Sequence, residues 1–152
     1  MPDRRAAGTA DASTPQPATD EASNNLPETK DPHTVTAIRM TVDGQTITEQ
    51  LADNPTAQDF ASQVPLTLAI RDFNGVEKVA FLPRPLTMEG VPAGADPDIN
   101  DIGYYAPSNN LVLYYGDVGY FNGIARIGQT SGPSMQLIEQ QQDGNQIVIE
   151  QA

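Results

Sequence analysis

Beyond residue 34 the chain alternates apolar and polar positions with a period of two over short stretches. That is the mark of half-buried strands. Ile38, Met40 and Val42 share one face of a strand over 34–42. Asp43-Gly44 then signals a two-residue hairpin, because both central positions of the favoured turn need φ > 0. The turn sets Val42 opposite Gln45 and Met40 opposite Ile47, and the second strand runs to about Leu51. The period changes in the segment DNPTAQDFASQVP. Asn54 suits an N-cap, Pro55 the first helical position and Pro65 a stop, so one short helix is predicted, burying Ala57, Phe60, Ala61 and Val64. A third strand carries Leu66, Leu68 and Ile70; Asn74-Gly75 is another turn; a fourth strand runs from Lys78 to Leu82 and ends at Pro83 and Pro85. After a Gly- and Pro-rich loop over about 87–100, strands are predicted near 101–106, 110–115 and 123–128. A last pair, 134–139 and 146–150, would flank Asp143-Gly144. Many short strands and frequent turns around one clear helix indicate an all-β barrel or sandwich.

All five tyrosines lie between Tyr104 and Tyr120. A tight turn at Ser108-Asn109 would set Ala106 against Leu111, Tyr104 against Leu113 and Ile102 against Tyr115. The opposite face then pairs Tyr105 with Val112 and Gly103 with Tyr114. A slip of one residue would mix the two sets, so Tyr104 is expected inside and Tyr105 and Tyr114 on the outer face. Two readings of the outer pair are open: an aromatic ligand platform, or the more ordinary cross-strand packing beneath a loop or helix.

Composition narrows the function classes. The chain has 152 residues, a net charge of −12, one histidine and no cysteine. Such acidity repels nucleic-acid phosphates and anionic lipid surfaces. The absence of cysteine excludes thiolate chemistry, and His33 alone excludes a multi-histidine metal site within one chain. Residues 1–33 are rich in Ala, Ser, Thr, Pro and Asp and hold one large aliphatic residue, Leu26. A disordered acidic tail is expected there, because so little apolar surface cannot offset the entropy of ordering. No apolar run reaches the roughly 20 residues of a membrane span, and no apolar segment follows Arg4-Arg5 as a signal peptide requires. A cytoplasmic protein is the plain expectation; the alternative is an extracytoplasmic domain whose signal or lipid anchor has been trimmed.

The segments PLTLAIRDFNGVEKVAFLPRPL and NDIGYYAPSNNLVLYYGDVGYFNGIARIG resemble a bacterial family of small cyclophilin-like domains. The resemblance covers about Ile38 to Gly132. It implies a closed cyclophilin-like β-barrel of about eight strands with one or two short helices. The barrel would span 34–140, with 141–152 an extension able to supply a hairpin strand. The family is largely uncharacterised; some members stand beside or are fused to flavodoxin-like domains, which implies a possible redox partner of that kind. The family usually has Gly where this chain has Asn100, and Asn is the next most tolerant residue for φ > 0. The Phe-His-Arg and Gln-Gly-Gly-Asp motifs of prolyl-isomerising cyclophilins are absent, as is tryptophan. The body arginines Arg39, Arg71, Arg84 and Arg126 do not stand in that context.

The expected activity is therefore a non-catalytic binding module holding a peptide or small anionic ligand in a surface groove, with no cofactor and no metal. The alternatives are an enzyme such as a weak prolyl isomerase, or an interaction domain for a flavodoxin-like partner. The candidate ligand residues are Arg84, Tyr105 and Tyr114. Arg84, held extended between two prolines, suits a carboxylate or phosphate, or else an ordinary surface ion pair. Asp96, Asp98, Asn100 and Asp101 look like the start of a calcium loop. The EF-hand spacing fails, and turn chemistry is the better reading.

Overall fold

The computed structural model describes residues 36–152; the tail expected over 1–33, with His33, lies outside the described residues. In chain order the elements are β1 (Ala37–Val42), β2 (Gln45–Leu51), α1 (Pro55–Gln63), β3 (Leu66–Ala69), β4 (Arg71–Phe73) and β5 (Glu77–Phe81). There follow β6 (Gly94–Ala95), β7 (Asp101–Tyr105), β8 (Asn110–Tyr114), β9 (Phe121–Asn122), β10 (Ile124–Gln129), α2 (Gly132–Glu139) and β11 (Gln146–Gln151). The fold is mostly β. Nine strands form one sheet in the order β3-β11-β1-β2-β10-β7-β8-β5-β4, and β6 pairs with β9 separately. The pairs are antiparallel.

The first hairpin has the predicted register, with Val42 against Gln45 and Met40 against Ile47. Asp43 and Gly44 both take φ > 0, as do Asn74 and Gly75 at the second turn. Asn100 has φ 80°, so it does hold the backbone that glycine would take. The α1 helix starts as its sequence indicates: the Asn54 side chain accepts from the Ala57 amide at 2.8 Å, and Pro55 opens the first turn. Ala57 and Phe60 are buried from this helix. One core cluster collects Ile38, Met40, Leu51, Phe60, Leu68, Ile70, Leu82, Ile102, Tyr104, Leu111, Leu113, Ile127, Ile147 and Ile149. One face of the long sheet thus turns towards a common interior.

The structure departs from expectation in the helix after β10, the place of β11 and the β7–β8 register, and its ladders stop short of a closed ring. The segment near 134–139 is not a strand but α2. Ser131 caps it by accepting from the Ser134 amide at 3.2 Å, Pro133 lies in its first turn, and Met135 and Ile138, three residues apart, are buried. Asp143-Gly144 therefore turns the chain from a helix into β11 rather than closing a hairpin. β11 in turn is no appendage, since it lies between β3 and β1. The β7–β8 register is shifted by two residues: Tyr104 faces Leu111, Ile102 faces Leu113 and Tyr105 faces Asn110. The cause is the turn, a 3-10 segment Ala106–Ser108 followed by Asn109 in the left-handed region, which is longer than a two-residue loop. An even shift keeps every side chain on its expected face. Lastly, the ladders among the described residues leave β3 and β4 as the two edges, so the long sheet is not closed by hydrogen bonds. The two edges are nonetheless consecutive in the chain, with Ile70 alone between them.

Candidate functional site

The outer face of β4, β5, β8, β7 and β10 forms the floor of a cleft of about 540 Å³. Register places its residues in rows. Phe81, Asn110, Tyr105 and Ile124 lie side by side across four strands. Arg71, Val79, Val112 and Gly103 form the next row, and Phe73, Glu77 and Tyr114 the third. Val118 and Phe121, from the segment after β8, and Ser108 add to the walls. Val79, Val112 and Tyr114 are a small buried cluster of their own, with Tyr105 and Val118 packed on it. Three phenylalanines around the cleft stay open to solvent: Phe73 at 46%, Phe81 at 60% and Phe121 at 52% exposure. The Arg71 guanidinium lies over the Phe81 ring, 5.5 Å from its centre. Exposed aromatic rings around a concave apolar floor are the usual lining of a ligand or peptide groove.

Tyr105 and Tyr114 both line this cleft. Tyr105 is half-buried. Tyr114 is only 1% exposed and belongs to the floor. A Cβ on Gly103 would lie 2.6 Å from Tyr114 Cε2, so the missing side chain makes the space in which the ring lies. Burial, then the nearby Glu77 carboxylate, pushes the Tyr114 phenol above its ordinary range. Arg84 is elsewhere. It is not among the cleft residues, and its guanidinium donates to Asp59 at 2.9 Å and to Ser62 at 3.2 Å on α1. Burial alone would raise the Asp59 carboxyl, but hydrogen bonds from Arg84 and the Thr87 amide bring it below its usual value. Arg84 thus fastens the segment after β5 to the helix as a surface ion pair.

The cleft's two polar floor groups were not foreseen. Asn110 is 7% exposed, donates through Nδ2 to Ser108 Oγ at 3.0 Å, and has no donor for Oδ1. Glu77 is half-buried, and among the described residues no hydrogen bond or ion pair holds its carboxylate. Burial raises its pKa, and the neighbouring Asp72 raises it further. The signal in the sequence was the outward set on β5: Glu77, Val79 and Phe81 alternate with Lys78, Ala80 and Leu82, which turn inward. An apolar set on both faces of one strand marks a second covered surface.

Several other polar groups satisfy one another. Tyr104 is 1% exposed; its hydroxyl donates to Asn109 Oδ1 at 3.0 Å and accepts from the Leu86 amide at 3.1 Å. Lys78, buried on the inner face, donates to the Gln141 carbonyl at 2.7 Å and lies 3.6 Å from Asp72. The Tyr115 hydroxyl donates to Asp72, which holds that carboxyl below its usual range. Asp101 accepts from Arg126 Nε at 2.7 Å and from the Asp98 amide at 2.8 Å, while Asp98 accepts from Arg126 Nη2 at 3.0 Å. The acidic stretch near 96–101 is therefore a turn with two of its carboxylates directed at an arginine. Among the described residues no cluster of acidic and histidine side chains has the geometry to hold a metal ion, and no helix is long and apolar enough to cross a membrane.

Comparison with known proteins agrees with this architecture. The solution structure of a hypothetical protein from Archaeoglobus fulgidus is similar, with a TM-score of 0.64 at 15% identity, over 84% of this chain and 100% of that one. At that identity the likeness concerns the fold. No curated protein sequence matches the chain. Residues 40–150, most of the described fold, match the cyclophilin-like family. The chain belongs to the cyclophilin-like family.

Proposed function

We propose that this protein is a non-catalytic binding module whose occupant, a peptide or small molecule, lies in the outer-face cleft over Val79, Val112 and Tyr114. The observation that carries the reading is the ring of exposed Phe73, Phe81 and Phe121 around a concave apolar floor. Solvated phenylalanines gathered at one cavity cost solubility, and that cost is recovered when a ligand covers them. The anion-binding version of the reading leaned on Arg84, which is engaged by Asp59; Arg71 is the cation at the cleft. The interior scaffold on this reading is a barrel: Leu66 to Phe73 acts as one strand bent at Ile70, and the strand order then runs round a ring of eight. Support for the ring comes from the contiguity of β3 and β4 in the chain.

The test is a titration of isotope-labelled protein with apolar peptides, followed by amide and methyl resonances. Shifts concentrated at Val79, Tyr105, Val112 and Ile124 are expected. Peptides that bind but shift resonances elsewhere would sink the assignment of the cleft.

A further inference from the structure

The cleft is electrostatically uneven along its length. Arg71 starts from the middle row opposite Val79, and its guanidinium leans over Phe81 towards one end. Glu77 lies at the other end, four residues from Phe81 along β5, or about 13 Å. Between them run Val79 and Val112. Neither charge has an ion-pair partner among the described residues, and the two do not pair with each other. Most carboxylates at this edge of the fold are engaged. Asp72 is taken by Tyr115, Lys78 and the Gly75 amide at 3.0 Å, and the Asp72 amide itself donates to Asp143 at 2.8 Å. A half-buried carboxylate without a donor, beside the negative charge of Asp72, is held at an energetic cost that a cation would remove. The second polar floor group, Asn110 Oδ1, is also an acceptor without a donor. The floor therefore asks its occupant for donors and for positive charge at one end.

We propose that the occupant is an extended peptide segment carrying a basic side chain two residues from a bulky apolar one. The apolar side chain lies on Val79 and Val112 between the phenylalanines, and the basic group meets Glu77. The spacing follows from strand geometry. Two residues of extended peptide span about 7 Å and return to the same face, which is the distance from the middle row of the floor to the Glu77 row. Arg71 at the far end disfavours the reversed placement, so charge sets the direction in which the peptide lies. Complementarity extends to the whole molecule, since a chain of net charge −12 attracts basic segments. This proposal rests on the cleft being the binding site and adds the chemistry of what binds.

Three capped pentapeptides test it on the full chain: Ala-Phe-Ala-Lys-Ala, and the same sequence with Gln or Glu in place of Lys. The Lys peptide is expected to bind about tenfold more tightly than the Gln peptide, the gain of one charge-assisted contact, and the gap should shrink as salt is added. Glu77→Gln should bring the Lys and Gln peptides together while leaving the Gln peptide's affinity unchanged. Glu77→Lys should reverse the preference towards the Glu peptide, and amide spectra of both variants report whether the fold is intact. Equal binding of all three peptides at the cleft would overturn the charge requirement and leave the binding-module reading standing. No shift at cleft resonances with any peptide would remove both. Sedimentation of the free protein as a dimer that Phe81→Ser dissolves would also overturn the proposal, because a second copy would then be the occupant.

Discussion

Tyr104 and Tyr105 leave the same strand on opposite faces, and the polar groups around them fare differently. On the inner face the Tyr104 hydroxyl is bonded on both sides, and the buried Lys78 amine has a carbonyl and a carboxylate. On the outer face, around Tyr105, Asn110 Oδ1 has no hydrogen-bond partner, and no hydrogen bond or ion pair reaches the Glu77 carboxylate among the described residues. Both faces have a buried apolar floor, but the outer one is ringed by exposed Phe73, Phe81 and Phe121. The two also differ in how the polar groups beside these tyrosines are paired. Around Tyr104 the chain's own folding pairs the polar groups, whereas the outer face leaves these two acceptors unpaired among the described residues. The contrast is not complete: away from the cleft the 1%-exposed Glu49 carboxylate, the Gln63 amide and the Thr130 hydroxyl are also buried without a hydrogen-bond partner among the described residues.

The largest expected effect strikes the inner face. Tyr104→Ala should cost about 3–5 kcal/mol, as removing a buried ring does, and it also strips the Leu86 amide of its acceptor. Tyr105→Ala should cost less than about 1.5 kcal/mol while weakening peptide binding. Urea titrations of the two variants decide the matter, and equal losses would erase the distinction between the faces.

Glu49 tests whether an unsatisfied group inside behaves as a burden. Burial pushes its carboxyl up to about 7, and the nearby Thr130 hydroxyl offsets only part of this. The folded state then holds a proton between the ordinary carboxyl pKa, near 4.5, and about 7, which the unfolded chain has released. Its contribution to stability is fully present below about 4.5 and is lost as pH rises to about 7. Glu49→Gln should remove that slope, worth about 2 kcal/mol between pH 5 and 8. An unchanged pH profile by thermal denaturation would mean that Glu49 is hydrated after all.

Gly103→Ala probes the floor of the cleft. The new Cβ would meet the Tyr114 ring at 2.6 Å, so a loss of about 1–3 kcal/mol and a change in ligand affinity are expected together. Stability lost without any effect on binding would show that the floor and the site are separate.

Smaller effects belong to groups outside both faces. Arg84→Ala removes a half-exposed ion pair with Asp59 and should cost about 0.2–1 kcal/mol without altering peptide affinity. A marked loss of affinity would restore Arg84 to the site. Deleting residues 1–30 should shift stability by less than about 0.5 kcal/mol, since their composition offers little to bury. Comparison of the melting midpoints settles it.

Much of this was written locally in the chain. The β1–β2 register, α1 with its Asn54 cap, the Asn74-Gly75 turn and the positive φ at Asn100 follow from alternation and from residues with few conformational options. Tyr104 inside and Tyr105 outside survived an error in the turn, because a two-residue shift preserves faces. The helical Gly132–Glu139 carries its signal in Ser131, Pro133 and the spacing of Met135 and Ile138, but Asp143-Gly144 beyond it imitates a hairpin turn. The cleft was less legible. Tyr105 and Tyr114 reach it from one hairpin, but Glu77 and Asn110 join them from strands that meet by long-range pairing, and Phe121 comes from a segment folded back over the floor. Arg84 was set aside in the same way, by an Asp59 that is distant in sequence and adjacent in space. Local propensity decides which face a side chain takes; whether a polar group there is satisfied depends on neighbours that only the assembled sheet brings within 3 Å.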